Sequence, residues 1–215
     1  MTVALWFMPQ TNTPVYETIH SLILSLQTLF PDAAYFEPHL TITAQLKCET
    51  QDQVNQVLTS CVAAVQAVRS AVRSSKEPLV TFRGVSVGKP YFTKVRLVCE
   101  HNKYLMGIAQ IMRELYVADG PEQASQWLQE TFRPHVSLVY SDMYYVNQAL
   151  ERVVVQRIED ALDLQMHSNA AMDDQDQSAW LFDRPLTGWG LPGTFKVVRC
   201  EGPVDEWEVL GSVEV

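Results

Sequence analysis

Apolar side chains recur along this chain with two different periods, and the switches between them lay out its elements. Val15, Ile19, Leu22, Ile23, Leu26 and Phe30 form a helical stripe. It opens at Pro14, whose fixed φ suits the first helical position, and stops before the breaker pair Pro31-Asp32. Val54, Val57, Leu58, Cys61, Val62, Val65 and Val68 form a second stripe over 51–72, with Arg69 and Arg73 near the end where cations suit the helix dipole. Leu105, Ile108, Ala109, Met112 and Leu115 predict a third helix over 102–116, which ends ahead of Gly120-Pro121. A fourth helix is expected over 146–161.

The remaining segments alternate every second residue or are rich in β-branched and aromatic side chains, which predicts strands over 2–8, 36–46, 132–140, 193–200 and 206–215. Residues 79–87 and 93–100 read as a hairpin joined through Gly88-Lys89-Pro90. The polar stretch 165–178, with Asp173, Asp174 and Asp176, reads as a solvated loop or a strand edge.

Two of the predicted strands carry the same phrase, "PHLTI" at Pro38–Ile42 and "PHVSL" at Pro134–Leu138, in a chain with five histidines. Ideal alternation puts His39, Thr41 and Thr43 on one face of the first strand and Leu40, Ile42 and Ala44 on the other. In the second it pairs His135 with Ser137. Each half of the chain therefore contributes one helix-flanked strand bearing His-x-Thr or His-x-Ser. The expected fold is α+β and bilobal: one domain over 1–215, built of two pseudo-symmetric lobes of antiparallel sheet flanked by helices, with the active-site cleft between them.

Charge narrows the ligands. A net charge of -9 over 215 residues argues against a long nucleic acid, whose binding needs many Lys and Arg contacts to phosphate. A small phosphate-bearing ligand remains compatible, because one pocket can be positive on an acidic protein. Cys48, Cys61, Cys99 and Cys200 lie far apart without a CxxC and read as free core thiols, pointing to a reducing compartment. The N-terminal apolar run is broken at Pro9, and no eighteen apolar residues follow one another, so neither a signal peptide nor a membrane span is expected. The expected location is intracellular and cytoplasmic.

Two imidazoles and two hydroxyls meeting across a cleft suit metal-free, in-line phosphodiester chemistry. One histidine takes a proton from the nucleophile, the other protonates the departing oxygen, and the hydroxyls hold the phosphoryl oxygens. Zinc asks for three or four protein ligands, which neither strand supplies, so no metal or cofactor is expected. A serine hydrolase is disfavoured by the absence of a GxSxG elbow. His20, His101 and His167 read as surface or capping residues.

"HLTI" and "HVSL" resemble the twice-repeated His-x-Thr/Ser-hydrophobic signature of the 2H phosphoesterase superfamily. "ALWFMP", "FEPHLTIT", "KYLMGIAQIMRELY", "RPHVSLVYSD", "GTFKVVRCEGPV" and "WEVLG" extend the likeness to the fungal 2',3'-cyclic-nucleotide 3'-phosphodiesterases. The resemblance implies hydrolysis of nucleoside 2',3'-cyclic phosphates to 2'-phosphates and of ADP-ribose 1'',2''-cyclic phosphate, a by-product of tRNA splicing. It implies catalysis by His39 and His135, with substrate held by Thr41 and Ser137. His135 is expected to activate water and His39 to protonate the leaving oxygen, the reverse pairing being the alternative.

The resemblance also suggests that Tyr140 approaches the phosphate. Five residues beyond His135, that requires a bulge or a strand end. Trp6 is expected to stack on a base. The implied partners are small cyclic nucleotide phosphates, the expected state a monomer, and Golgi association is among the implications of the fungal likeness. The rival functions are an RNA 2'-5' ligase or RNA-end phosphodiesterase of the same superfamily, and a non-enzymatic nucleotide-binding module.

Overall fold

The computed structural model describes residues 2–143, 145–169 and 177–215. Its strands are β1 (Val3–Pro9), β2 (Leu40–Ala44), β3 (Thr81–Gly88), β4 (Val95–Cys99), β5 (His135–Val139), β6 (Met166–Ser168), β7 (Gln177–Thr187), β8 (Gly193–Arg199) and β9 (Glu208–Glu214). All pair antiparallel in one sheet, in the order β6-β7-β3-β4-β5-β2-β1-β8-β9. The helices are α1 (Pro14–Gln27), α2 (Gln51–Ser75), α3 (Lys103–Tyr116), α4 (Pro121–Glu130) and α5 (Gln148–Leu162). The α+β class and antiparallel pairing match the sequence reading.

Helix starts follow local chemistry. Thr13, Thr50, Asn102 and Asn147 each place a side-chain oxygen on a first-turn N–H, and Thr50 with Gln53 completes a reciprocal capping box. The inner faces of α1, α2, α3 and α5 pack on the sheet face that carries Val3, Leu5, Phe7, Leu40, Ile42, Val136 and Leu97. The opposite face of β1 carries Ala4, Trp6 and Met8, which form a separate small cluster with Tyr16 and Val198. β1 is thus buried on both faces, which is why its sequence is a continuous apolar run.

Three elements differ from the sequence reading. Gly120-Pro121 does not merely end a helix; Pro121 sits at the start of α4, where a missing N–H is harmless. The stretch read as loop or edge contains β6 and the beginning of the 11-residue β7. Pro185 masks β7 in the sequence, but it lies beyond the residues that β6 pairs and inside a register shift against β3, where the lost N–H is tolerated. Residues 36–39 precede β2 rather than belong to it. Asp173, Asp174 and Asp176 lie outside the described residues.

Cys48, Cys61 and Cys99 are buried, and all four cysteines are free thiols, as expected. Burial pushes the Cys61 thiol up to about 12, so it is an inert core filler. Among the described residues no helix is long and apolar enough to cross a membrane.

Candidate active site

The two phrases meet at the middle of the sheet. β2 and β5 pair through Leu40 and Val136, each the residue immediately after its histidine. Since the strands are antiparallel, this pair lies on a local twofold relating one motif to the other. One further residue in each direction sets His39 across from Ser137 and Thr41 across from His135. Each imidazole therefore faces the other motif's hydroxyl.

The prolines explain the imidazole orientation. His39 Nδ1–H donates to the Glu37 carbonyl at 2.6 Å, and His135 Nδ1–H donates to the Arg133 carbonyl at 2.7 Å. In both cases the carbonyl belongs to the residue before proline. That residue is confined to extended backbone and the proline φ is fixed, so the carbonyl is aimed at the ring two residues on. A carbonyl can only accept, so Nδ1 carries the hydrogen and neutral Nε2 presents a lone pair in both rings.

Each motif strand also contains a bulge at the third residue after its histidine. Ile42 is extra between Thr41 and Thr43 against Trp6 and Leu5, and Leu138 is extra between Ser137 and Val139 against Arg96 and Val95. The bulge corrects the ideal alternation. Thr43 does not share the face of His39 and Thr41: it pairs with the core residue Leu5, and Arg113 Nη1 of α3 donates to its hydroxyl at 3.3 Å. Ala44 turns instead to the cluster around Trp6.

The same shift solves the problem of Tyr140. Beyond the Leu138 bulge and the end of β5, its hydroxyl lies 3.5 Å from His39 Nε2 and is hydrogen-bonded with Ser137. Its ring stacks on Phe36 at 4.1 Å. Burial raises the phenol well above its ordinary value, so it stays protonated.

Trp6 is 5% exposed, and its indole lies flat on His39, with ring centroids 3.7 Å apart and planes 13° from parallel. Trp207 closes on it at 5.9 Å. The structure thus places Trp6 against an imidazole and gives it little open face for a base.

The two histidines have different surroundings. His39 is 3% exposed. Burial carries its pKa down to about 4; the Glu37 carbonyl opposes the change, and the charges of His135 and Lys196 add to it. Lys196 Nζ is 2.6 Å from Glu37 Oε2, and Tyr16 donates to the other carboxylate oxygen at 3.4 Å. His135 is half-buried; desolvation also lowers it, with the Arg133 carbonyl opposing and Arg96 contributing. Thr41 is half-buried and Ser137 buried.

A family model described as cyclic phosphodiesterase-like protein matches residues 1–215. The chain belongs to this family. Within it, proteins named 2',3'-cyclic-nucleotide 3'-phosphodiesterase from Eremothecium gossypii and Saccharomyces cerevisiae are each 50% identical to this chain, over the full length of both partners. A protein of the same name from Kluyveromyces lactis is 46% identical over 100% of this chain and 99% of its own length.

The structure of this cyclic phosphodiesterase-like chain adds residues that the sequence reading missed. Arg96 lies opposite Ser137 in β4, and Lys196 opposite Trp6 in β8. Both occupy the polar phase of an alternating strand, a signal shared by any solvent-facing residue until the strand order is known. Lys94 is wholly buried, and its Nζ donates to the carbonyls of Lys89 and Met143. It ties the 3-10 turn bearing Tyr91 and Phe92 to the loop after Tyr140, where Asp32 accepts from the Ser141 hydroxyl at 2.7 Å. Phe92 and Trp207 then approach one another at 6.1 Å beside Tyr140. A lysine so buried has no readable signature among its neighbours in sequence. His20 meets the Tyr35 hydroxyl at 3.0 Å and stacks on Tyr16 at 5.7 Å.

Proposed function

We propose that this protein hydrolyses nucleoside 2',3'-cyclic phosphates to 2'-phosphates, and ADP-ribose 1'',2''-cyclic phosphate in the same site, by acid-base catalysis of two histidines without a metal. The observation that carries the reading is the Leu40–Val136 pair, which brings both His-x-Thr/Ser motifs together about a local twofold. The family and the names of its similar members support the hydrolysis of a nucleoside cyclic phosphate. The halves of the sheet act as two lobes of one domain, with the substrate cleft over the β2–β5 junction, in a monomeric intracellular protein.

In this reading neutral His135 Nε2 takes a proton from water as the water oxygen attacks phosphorus. The P–O3' bond breaks and O3' receives the proton held on His39 Nε2. His135 takes the water because it is the more open of the two rings, reachable from solvent, whereas His39 is enclosed by Trp6, Phe36 and Tyr140. The hydroxyls of Thr41 and Ser137 donate to the non-bridging oxygens, where charge grows in the transition state. Trp6 acts through His39, holding the ring in plane, and Tyr140 approaches the same Nε2. The anionic phosphate is what restores a proton to His39, since an adjacent negative charge offsets the desolvation that lowers it.

The test is product analysis of 2',3'-cyclic AMP incubated with the protein and EDTA. Adenosine 2'-phosphate as the product supports the assignment. The 3'-phosphate, unchanged substrate, or turnover abolished by EDTA would overturn it.

A further inference from the structure

The end of α2 borders a cavity of about 560 Å³ that shares no residue with the two-histidine site. Its walls are the last turns of α2, the residues just after them, and the segment 187–192 that leads from β7 to β8. Arg69 and Arg73 stand one helical turn apart on one face of α2, and Lys76 follows at its C-cap. Lys76 holds left-handed backbone, φ 56°, where glycine is the usual residue, so the backbone alone does not call for a lysine there. Among the described residues, none of the three side chains forms an ion pair or a hydrogen bond, and Arg69 Nε is buried without an acceptor. Glu77 is the only carboxylate among the lining residues. A helix end supplies about half a negative charge and Glu77 one more, which leaves roughly 1.5 positive charges unbalanced. In a chain of net charge -9, that concentration runs against the field of the whole molecule.

We propose that this cavity binds a phosphate-bearing anion at a site separate from the catalytic one. Two guanidinium forks one turn apart can share the oxygens of one phosphate, and Lys76 adds a point charge beside them. Arg69 is half-buried, so its side chain can turn to give Nε the acceptor it lacks. A phosphate dianion matches the unbalanced charge, whereas a long polyanion would meet the acidic surface beyond the cavity. Leu191 and Pro192 add apolar lining for whatever carries the phosphate. α2 packs on the sheet face that carries Leu40 and Ile42, while His39 lies against Trp6 of the cluster on the opposite face, so the two sites do not compete for one ligand. A free phosphorylated small molecule and the headgroup of an anionic phospholipid present this same chemistry. The inference does not depend on the cyclic phosphodiesterase reading above.

The experiment titrates the whole isotope-labelled chain with inorganic pyrophosphate and follows its amide resonances. Residues 69–78 and 187–193 are expected to shift together with one dissociation constant tighter than about 1 mM. Sodium chloride at equal ionic strength should not reproduce the shifts, because it screens charge without offering a multidentate acceptor. The double variant Arg73→Gln, Lys76→Gln changes two exposed side chains, so the fold should persist by circular dichroism while the affinity falls at least about 10-fold. Sedimentation with phosphatidylcholine vesicles, with and without phosphatidylinositol 4-phosphate, then separates the two sources. Capture that needs the phosphorylated lipid and is lost in the double variant assigns the site to a headgroup. Pyrophosphate binding without vesicle capture assigns it to a free anion. Shifts confined to the strands of His39 and His135, no shift at all, an affinity unchanged in the double variant, or an equal response to sodium chloride would overturn the proposal.

Discussion

The strands around His39 and His135 share a backbone device down to single residues, yet the side chains around the two imidazoles have diverged. Both rings are aimed by a carbonyl held before proline, and both strands bulge at the third residue after the histidine. Around them, His39 is roofed by an indole and backed by the Tyr16, Glu37 and Lys196 set, while His135 stands half open beside Arg96. The shared part fixes where each Nε2 points. The divergent part sets how enclosed each ring is, while burial lowers both. In the proposed mechanism in-line displacement needs groups on opposite sides of one phosphorus, so a twofold frame would supply the positions and unequal surroundings the division of labour.

The strongest way to test the pairing is to remove either ring. His39→Ala and His135→Ala should each lower turnover of 2',3'-cyclic AMP by about 100-fold to 10,000-fold, and the double variant should fall little further, because the two act as a unit. Circular dichroism checks that the fold persists. A single variant that keeps within tenfold of wild-type activity would show that one motif is dispensable.

The second test uses burial. The folded pKa of His39, about 4, lies below the ordinary histidine value near 6.5. Between these values the unfolded chain binds the extra proton, so stability is full above about pH 6.5 and is lost as pH falls through about 4. Wild type should lose about 3 kcal/mol more than His39→Gln between pH 7 and pH 4, measured by urea unfolding at each pH. Parallel curves for the two proteins would place His39 in solvent. The matching His135→Gln comparison should show the same sign, since His135 is also lowered.

These differences were only partly legible in the sequence. The paired motifs, four of the helices and most strands follow from period and capping residues, because those signals are local. The bulges are not local: Ile42 and Leu138 look like ordinary alternating residues, and only the register against β1 and β4 reveals them. Ideal alternation therefore puts Thr43 on the wrong face, whereas the mismatch between alternation and family resemblance at Tyr140 points to a bulge that the structure contains. α4 was hidden by reading Gly-Pro as a stop when the same pair starts a helix. Arg96, Lys196 and Lys94 carry no sequence signal, since their meaning depends on which strands become neighbours.

A third test separates free from liganded rings. Both histidines are depressed in the free protein, and a bound phosphate anion favours the imidazolium. The alkaline limb of kcat, which reports the complex, should therefore lie at higher pH than the limb of kcat/KM, by about one pH unit for an opposite charge within reach. Coincident limbs would mean that the phosphate does not approach the acid.

The smallest expected effect probes the shared frame itself. Pro38→Ala and Pro134→Ala leave every side chain of the motifs in place but release the dihedrals that aim the Glu37 and Arg133 carbonyls at Nδ1. Each should weaken one neutral hydrogen bond, worth about 1 kcal/mol, and lower kcat about fivefold with KM nearly unchanged. If the twofold frame matters equally on both sides, the two losses should agree within about a factor of two. The neighbours argue for one departure: His39 is also clamped by Trp6, so Pro38→Ala should be the milder until Trp6→Leu removes the clamp, after which the proline effect on that side should grow. Losses that stay unequal in the Trp6→Leu background would show that the carbonyl, not the indole, carries the difference between the two rings.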